Sequence, residues 1–87
     1  MDKTIYTREY TVLLRLLVER RQRSGLTQSE LAKKLGLTQS TVSKFERGDR
    51  RLDVIQLRTI CAQLGVSLSE FVADLEKRIP KRKSRRR

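Results

Sequence analysis

Residues 27–48 constrain the fold of this chain most strongly, because they predict two short helices joined by three residues. The stretch reads T-Q-S-E-L-A-K-K-L-G-L-T-Q-S-T-V-S-K-F-E-R-G, so each half opens on a Thr-Gln pair and closes on a glycine. Threonine is a good helix N-cap and glycine ends helices well. The pattern predicts a helix over about residues 28–35, and a second helix with Thr38 as its N-cap and Gly48 as its end.

The short link between the two halves forces the helices to meet at a tight corner. Apolar residues on one face of each helix predict a common core formed by Leu31, Ala32, Leu35, Val42 and Phe45. The polar residues of the second helix that this arrangement leaves pointing away from the core are Gln39, Ser40, Ser43, Lys44 and Arg47. The second helix is therefore expected to expose a polar surface.

This stretch resembles the helix-turn-helix of the Cro and phage repressors, the family of XRE-like bacterial regulators. The pattern L-T-Q-S-E-L-A-x-x-L-G-x-T-Q-S-T-V-S-K-F-E-R-G follows that family almost position by position. The resemblance continues through D-V-I-Q-L-R-T-I-C-A-Q-L-G-V-S-L-S-E-F and covers roughly residues 17–75. It implies an all-α, five-helix, lambda-repressor-like DNA-binding domain over residues 1–79. Residues 80–87 are expected to form a basic, disordered tail, because residues 81–87 are too charged and too poor in apolar side chains to fold alone.

In proteins of this type the second helix of the pair, the recognition helix, lies in the major groove of double-stranded DNA. Its candidate base-edge contacts in this sequence are Gln39, Ser40, Ser43 and Lys44. Gln39 is the strongest of them, because an amide can donate to and accept from adenine at the same time.

Candidate phosphate contacts lie at the helix starts or near the end of the recognition helix, and they are Gln28, Thr38, Thr41, Arg47, Arg50 and Arg51. Solvated loop charges are the alternative for Arg50 and Arg51. The resemblance also implies an ion pair between Arg21 and Glu46 that joins the first helix to the recognition helix.

Three further helices are expected around this pair. The first runs over residues 8–23 with Thr7 as its N-cap, after a loose arm or extended lead-in over residues 1–6. Its apolar arc comprises Tyr10, Leu13, Leu14, Leu17 and Val18. Val12 and Leu16 fall off this arc, so they either widen the core or form a contact patch.

The fourth helix is expected to begin at or just before Asp53 and to end near Leu64, and the fifth to follow Ser67 and stop at Pro80. Their apolar positions are Val54, Leu57, Ile60, Cys61 and Leu64, then Leu68, Phe71, Val72, Leu75 and Ile79. Two interpretations stay open for Leu75 and Ile79. They form a two-fold dimer contact, or they simply close the bundle.

The charge points to a polyanionic partner. The net charge is +11, and residues 77–87 hold eight of the 21 basic residues and none of the 10 acidic ones. Histidine is absent and Cys61 is the single cysteine, so the sequence offers neither a metal cluster nor a nucleophile with its base. We expect no enzyme, no cofactor, no metal and no membrane span, and a cytoplasmic, nucleoid-associated protein of bacterial or phage origin.

The expected function is transcriptional regulation, with repression as a homodimer on a roughly palindromic operator as the default and activation as the open alternative. An antitoxin of a toxin-antitoxin pair is the first rival, although residues 81–87 have no apolar side chain to insert into a toxin. A nucleic-acid-binding adaptor is the second, although the chain has few aromatic residues for base stacking. A toxin or a polymerase is the protein partner that these alternatives imply.

Overall fold

The structure, a computed structural model, describes the backbone of residues 3–80 and the side chains of residues 8–80. It contains the helices α1 (Lys3–Arg23), α2 (Gln28–Leu35), α3 (Gln39–Arg47), α4 (Val54–Gln63) and α5 (Leu68–Arg78). No strand occurs in residues 3–80, which confirms the all-α class. None of these five helices is long and apolar enough to cross a bilayer. The tail predicted after residue 80 lies outside the described residues.

Local sequence signals set most of the helix ends. Three N-cap residues exchange hydrogen bonds with the residue three positions later, as a capping box requires, and they are Thr27, Asp53 and Ser67. At the other end, Gly36 and Gly48 close α2 and α3 with φ angles of 72° and 83°. A side chain at this left-handed φ meets steric repulsion, so glycine suits both positions.

Helix α1 begins earlier than predicted. The structure starts it at Lys3, so Thr7 lies inside the helix and is not its N-cap. Residues 3–7 contain neither glycine nor proline, and no residue there interrupts the helical hydrogen bonds. The prediction of a loose or extended segment over residues 1–6 is therefore wrong for residues 3–6.

All five helices contribute buried residues to one core, in which α1 packs against α3 and α5, α2 against α3 and α4, and α4 against α5. Because α1 is covered from two sides, its buried surface is wider than the predicted arc. Leu16 is only 1% exposed and widens the core, while Val12 is half-buried. Cys61 is fully buried, and burial raises the pKa of its thiol, in keeping with a hydrophobic role.

Two valines predicted in the core are exposed. Val54 is 59% exposed in the first turn of α4, which extends past the core together with Ile55. Val72 is 38% exposed because it lies at the edge of the apolar stripe centred on Phe71.

Candidate nucleic-acid interface

The first residues of α2 and α3 are joined by a hydrogen bond. Gln39 Nε2 donates to Gln28 Oε1 at 2.7 Å, and each glutamine directly follows the N-cap of its helix. Backbone N–H groups in the first turn of a helix lack an intrahelical acceptor, and the helix dipole makes that end positive. One face of the protein therefore presents two helix N-termini, an arrangement that favours phosphate oxygens.

Further hydrogen bonds link the two glutamines to the protein interior. Gln28 Nε2 donates to Glu46 Oε1 at 2.8 Å, and Arg21 donates to the same carboxylate through Nε at 2.6 Å and Nη2 at 3.1 Å. Arg21 Nη1 also donates to the Leu26 carbonyl at 2.8 Å. The ion pair implied by the resemblance is thus present, with side chains only 11% and 5% exposed. We call the series Gln39, Gln28, Glu46 and Arg21 the polar chain.

The polar chain holds the Gln39 amide and leaves part of it available. The bond to Gln28 uses one of the two N–H groups of Gln39, and its second N–H and its carbonyl oxygen have no partner within residues 8–80. An amide with one donor and one acceptor available matches the edge of adenine. Sequence analysis missed this bond, although the repeated Thr-Gln pair is a signal for it.

The other candidate base-edge residues fall into two groups. Ser40 and Lys44 are exposed and have no hydrogen bond or ion pair with other described side chains. Ser43 is half-buried, and its Oγ accepts a hydrogen bond from Arg47 Nη1 at 3.0 Å. Arg47 also donates to Asp49 Oδ2 through Nε at 3.0 Å and Nη2 at 2.9 Å. Ser43 and Arg47, which the sequence analysis left free to point outward, thus contact each other one turn apart.

The two threonines predicted to contact phosphate interact with each other. Thr38 Oγ1 accepts the backbone N–H of Thr41 at 3.2 Å and lies 3.0 Å from Thr41 Oγ1. Both hydroxyls are therefore engaged in closing the first turn of α3. At this end of the helix, the backbone N–H groups of Gln39 and Ser40 are the donors that remain for a phosphate.

The loop after α3 places two guanidinium groups over aromatic rings. Arg50 Cζ lies 5.8 Å from the centroid of the Phe45 ring, and Arg51 Cζ lies 4.7 Å from that of Tyr10. The backbone N–H of Leu52 donates to Tyr10 Oη at 3.0 Å. Sequence analysis assigned Tyr10 to the core of α1 and missed these contacts. No local pattern signals them, because Tyr10 and Leu52 are 42 residues apart in the chain.

Two adjoining helix N-termini, a polar recognition surface and a loop of exposed cations define a DNA-binding helix-turn-helix domain. A family model for the helix-turn-helix matches residues 17–71, more than half of the chain. The solved structure of an XRE-family like protein from Pseudomonas syringae pv. tomato is similar with a TM-score of 0.82 and 45% identity. That match covers 90% of this chain and 95% of the other. The chain therefore belongs to the XRE family of helix-turn-helix transcriptional regulators.

Curated relatives agree with this assignment. Control protein C.MunI from a Mycoplasma species is 34% identical over 58 residues, which are 67% of this chain and 78% of that protein. Antitoxin HipB from Escherichia coli K12 is 41% identical over 49 residues, which are 56% of this chain. The matched segment spans only 56% of HipB, so the similarity covers about half of that relative.

Proposed function

We propose that this protein is a sequence-specific transcriptional repressor that binds a roughly palindromic operator as a homodimer. The observation that carries the proposal is the polar chain, which holds the Gln39 amide at the first residue of α3 with a donor and an acceptor available. Helices of this kind lay their first turns in the major groove. Gln39 then reads an adenine, and Ser40 and Lys44 contact neighbouring base edges or phosphates.

Phosphate contacts surround this reading surface in the proposal. Gln28 has one N–H beyond its bond to Glu46, and the first turn of α3 adds the backbone N–H groups of Gln39 and Ser40. Arg47 is paired with Asp49, but their side chains are 60% and 56% exposed. So exposed a pair is weak, and a DNA phosphate displaces it at little cost.

The loop cations complete this phosphate surface. Arg50 and Arg51 are exposed on the loop that follows α3 and add two charges beside the reading surface. The six cations of residues 81–87 add affinity without sequence preference.

The dimer is proposed to form through the end of α5. Leu75 is partly buried against the core, and Ile79 is half-buried at the C-cap of the helix, so both keep apolar surface available to a partner. Two copies related by a two-fold axis present half-sites about 34 Å apart. We expect the wild-type protein to sediment as a dimer, and Ile79→Glu as a folded monomer. A monomeric wild type, or a dimer that survives this substitution, contradicts this interface.

The direct test of the proposed function is a selection of bound duplexes from a random DNA pool at ~150 mM salt, where binding by charge alone is weakened. An enriched inverted repeat is the expected result. Gln39→Ala, selected in parallel, should lose the preference at one position of each half-site. If bound DNA shows no enriched sequence, the protein binds without sequence preference, as the adaptor alternative predicts, and the regulator proposal fails.

A second candidate is an antitoxin that regulates its own operon in the cytoplasm, and the similarity to Antitoxin HipB favours it. Both candidates bind an operator, so the selection does not separate them. The antitoxin candidate predicts that the protein relieves growth arrest caused by the product of the adjacent gene. Absence of arrest or of relief rejects the antitoxin and leaves the repressor.

A further inference from the structure

We propose that Tyr10, on α1, is a positioning residue that holds Arg51 ready to contact a DNA phosphate. The proposal rests on the function proposed above and extends the DNA-binding surface to a helix outside the helix-turn-helix. Within residues 8–80, no hydrogen bond joins Tyr10 to the polar chain. Tyr10 contributes to DNA affinity indirectly, by positioning the loop after α3.

Tyr10 holds this loop at two consecutive residues. Its ring lies beneath the guanidinium of Arg51, with 4.7 Å between Cζ and the ring centroid. Its hydroxyl oxygen accepts the backbone N–H of Leu52 at 3.0 Å. Leu52 directly precedes Asp53, the N-cap of α4, so the loop is fixed at its end as well as at its arginine. One aromatic side chain thereby sets both the path of the backbone and the place of the charge.

The contact with the Tyr10 ring leaves Arg51 able to bind an anion. A guanidinium carries five N–H donors, and within residues 8–80 no hydrogen bond or ion pair uses those of Arg51. The ring contact therefore leaves these donors available to phosphate oxygens. It also restricts a long side chain before binding, so less conformational entropy is lost when the phosphate contact forms.

The neighbouring arginines lack this combination. The donors of Arg47 are shared between Ser43 and Asp49, and its charge is offset by that carboxylate. Arg50 lies farther from its ring, at 5.8 Å from Phe45, and Phe45 is only 4% exposed. Among these three cations, Arg51 has the closest aromatic contact and has no ion pair within residues 8–80.

The test is a double-mutant cycle on DNA affinity, measured by fluorescence anisotropy with the selected operator and with a random duplex over a range of salt concentrations. Arg51→Gln should weaken binding to both duplexes and reduce the log–log salt slope by about 1. Tyr10→Leu should weaken binding roughly two- to fivefold. That loss should disappear when Arg51→Gln is already present. Tyr10→Phe keeps the ring and should restore most of the affinity.

Control variants separate positioning from general stability. Arg58→Gln removes an exposed charge from α4, which packs against α2 and α5, and should leave the affinity unchanged. Melting curves establish that each variant is folded at the assay temperature. Tyr10→Met, which keeps side-chain bulk without a ring, takes the place of Tyr10→Leu if the latter unfolds.

Three results have distinct meanings. An equal loss from Tyr10→Leu with and without Arg51 overturns the proposal, because the effect then does not pass through Arg51. If Arg51→Gln binds both duplexes as tightly as the wild type does, the proposal about Tyr10 is overturned as well. The proposed function stands in that case, because the wild-type protein still binds its operator. If the wild type binds neither duplex, the proposed function itself fails.

Discussion

The two ends of α3 are built in different ways. At its N-terminal end, Gln39 is linked by hydrogen bonds through Gln28 to a Glu46–Arg21 pair that is almost fully buried. At its C-terminal end, Arg47 pairs with Asp49 in solvent, and the following arginines rest on aromatic rings. Hydrogen bonds are directional, whereas a stacked charge attracts phosphate from a range of directions. The first end suits reading a base, and the second suits holding a backbone.

Stability alone does not account for the polar chain, since removing two charges from water costs several kcal/mol that the ion pair only partly offsets. Its clearest effect is geometric, because each member fixes the next. Gln28 holds the Gln39 amide in one orientation, and Glu46 in turn holds Gln28. This difference between the two ends predicts that substitutions will affect them unequally.

The largest expected effect on stability comes from breaking the polar chain. Glu46→Ala leaves the Arg21 guanidinium nearly buried without its carboxylate and should lower the free energy of unfolding by about 3 kcal/mol. Urea denaturation measures this value. The matched control is Asp49→Ala, which breaks the exposed pair with Arg47 and should cost less than about 0.5 kcal/mol. Equal losses would remove the distinction between the two ends.

Substitution of the glycine that ends α3 should have the next largest effect on stability. Alanine at a left-handed φ costs roughly 1 to 2 kcal/mol, which applies to both Gly48→Ala and Gly36→Ala. A Cβ at Gly48 would also lie 3.2 Å from Leu14 Cδ1, while one at Gly36 meets no atom within 4 Å. Gly48→Ala should therefore lower the melting temperature more than Gly36→Ala. Equal losses would show that the contact with Leu14 is relieved without cost, and a larger loss from Gly36→Ala would contradict the prediction.

A smaller effect is expected from the cap of the recognition helix. Thr38→Ala removes the side-chain acceptor of the Thr41 backbone N–H and should cost about 1 kcal/mol of unfolding free energy. Ser40→Ala serves as the control, because the Ser40 side chain is exposed and has no hydrogen bond with other described residues. Chemical denaturation of both variants tests the prediction, and a similar result for the two would show that the cap contributes little.

Removing residues 81–87 is expected to have the smallest effect on stability, since the segment has no apolar residue to pack. It should leave the free energy of unfolding unchanged. The same deletion should weaken binding to every duplex and flatten the salt dependence, because it removes six cations. Salt titrations of full-length and shortened protein check both statements. A selective loss on the operator would instead assign the tail a role in reading sequence.

Much of the fold could be predicted because its signals are local. The bounds of α2 agree with the sequence prediction, and the caps at Thr27, Thr38 and Ser67 occupy their predicted positions. Helix α1 is the exception, since the sequence predicts Thr7 as its N-cap whereas the helix already includes Lys3.

The candidate site could be predicted only in part. Its residue types follow from the motif, but their mutual contacts depend on tertiary structure. The pairing of Ser43 with Arg47 depends on side-chain rotamers, and the contact of Tyr10 with Arg51 joins distant parts of the chain. The exposure of Val54 depends on where the core ends, which periodicity alone does not give.

The most direct test of the account compares Gln39→Ala with Arg51→Gln on the selected operator and on a random duplex of the same length. We expect Gln39→Ala to cost about 1 to 3 kcal/mol of binding free energy on the operator and little on the random duplex. Arg51→Gln should weaken both by the same factor. If Gln39→Ala weakens binding to both duplexes equally, the polar chain does not serve base reading and the account is wrong.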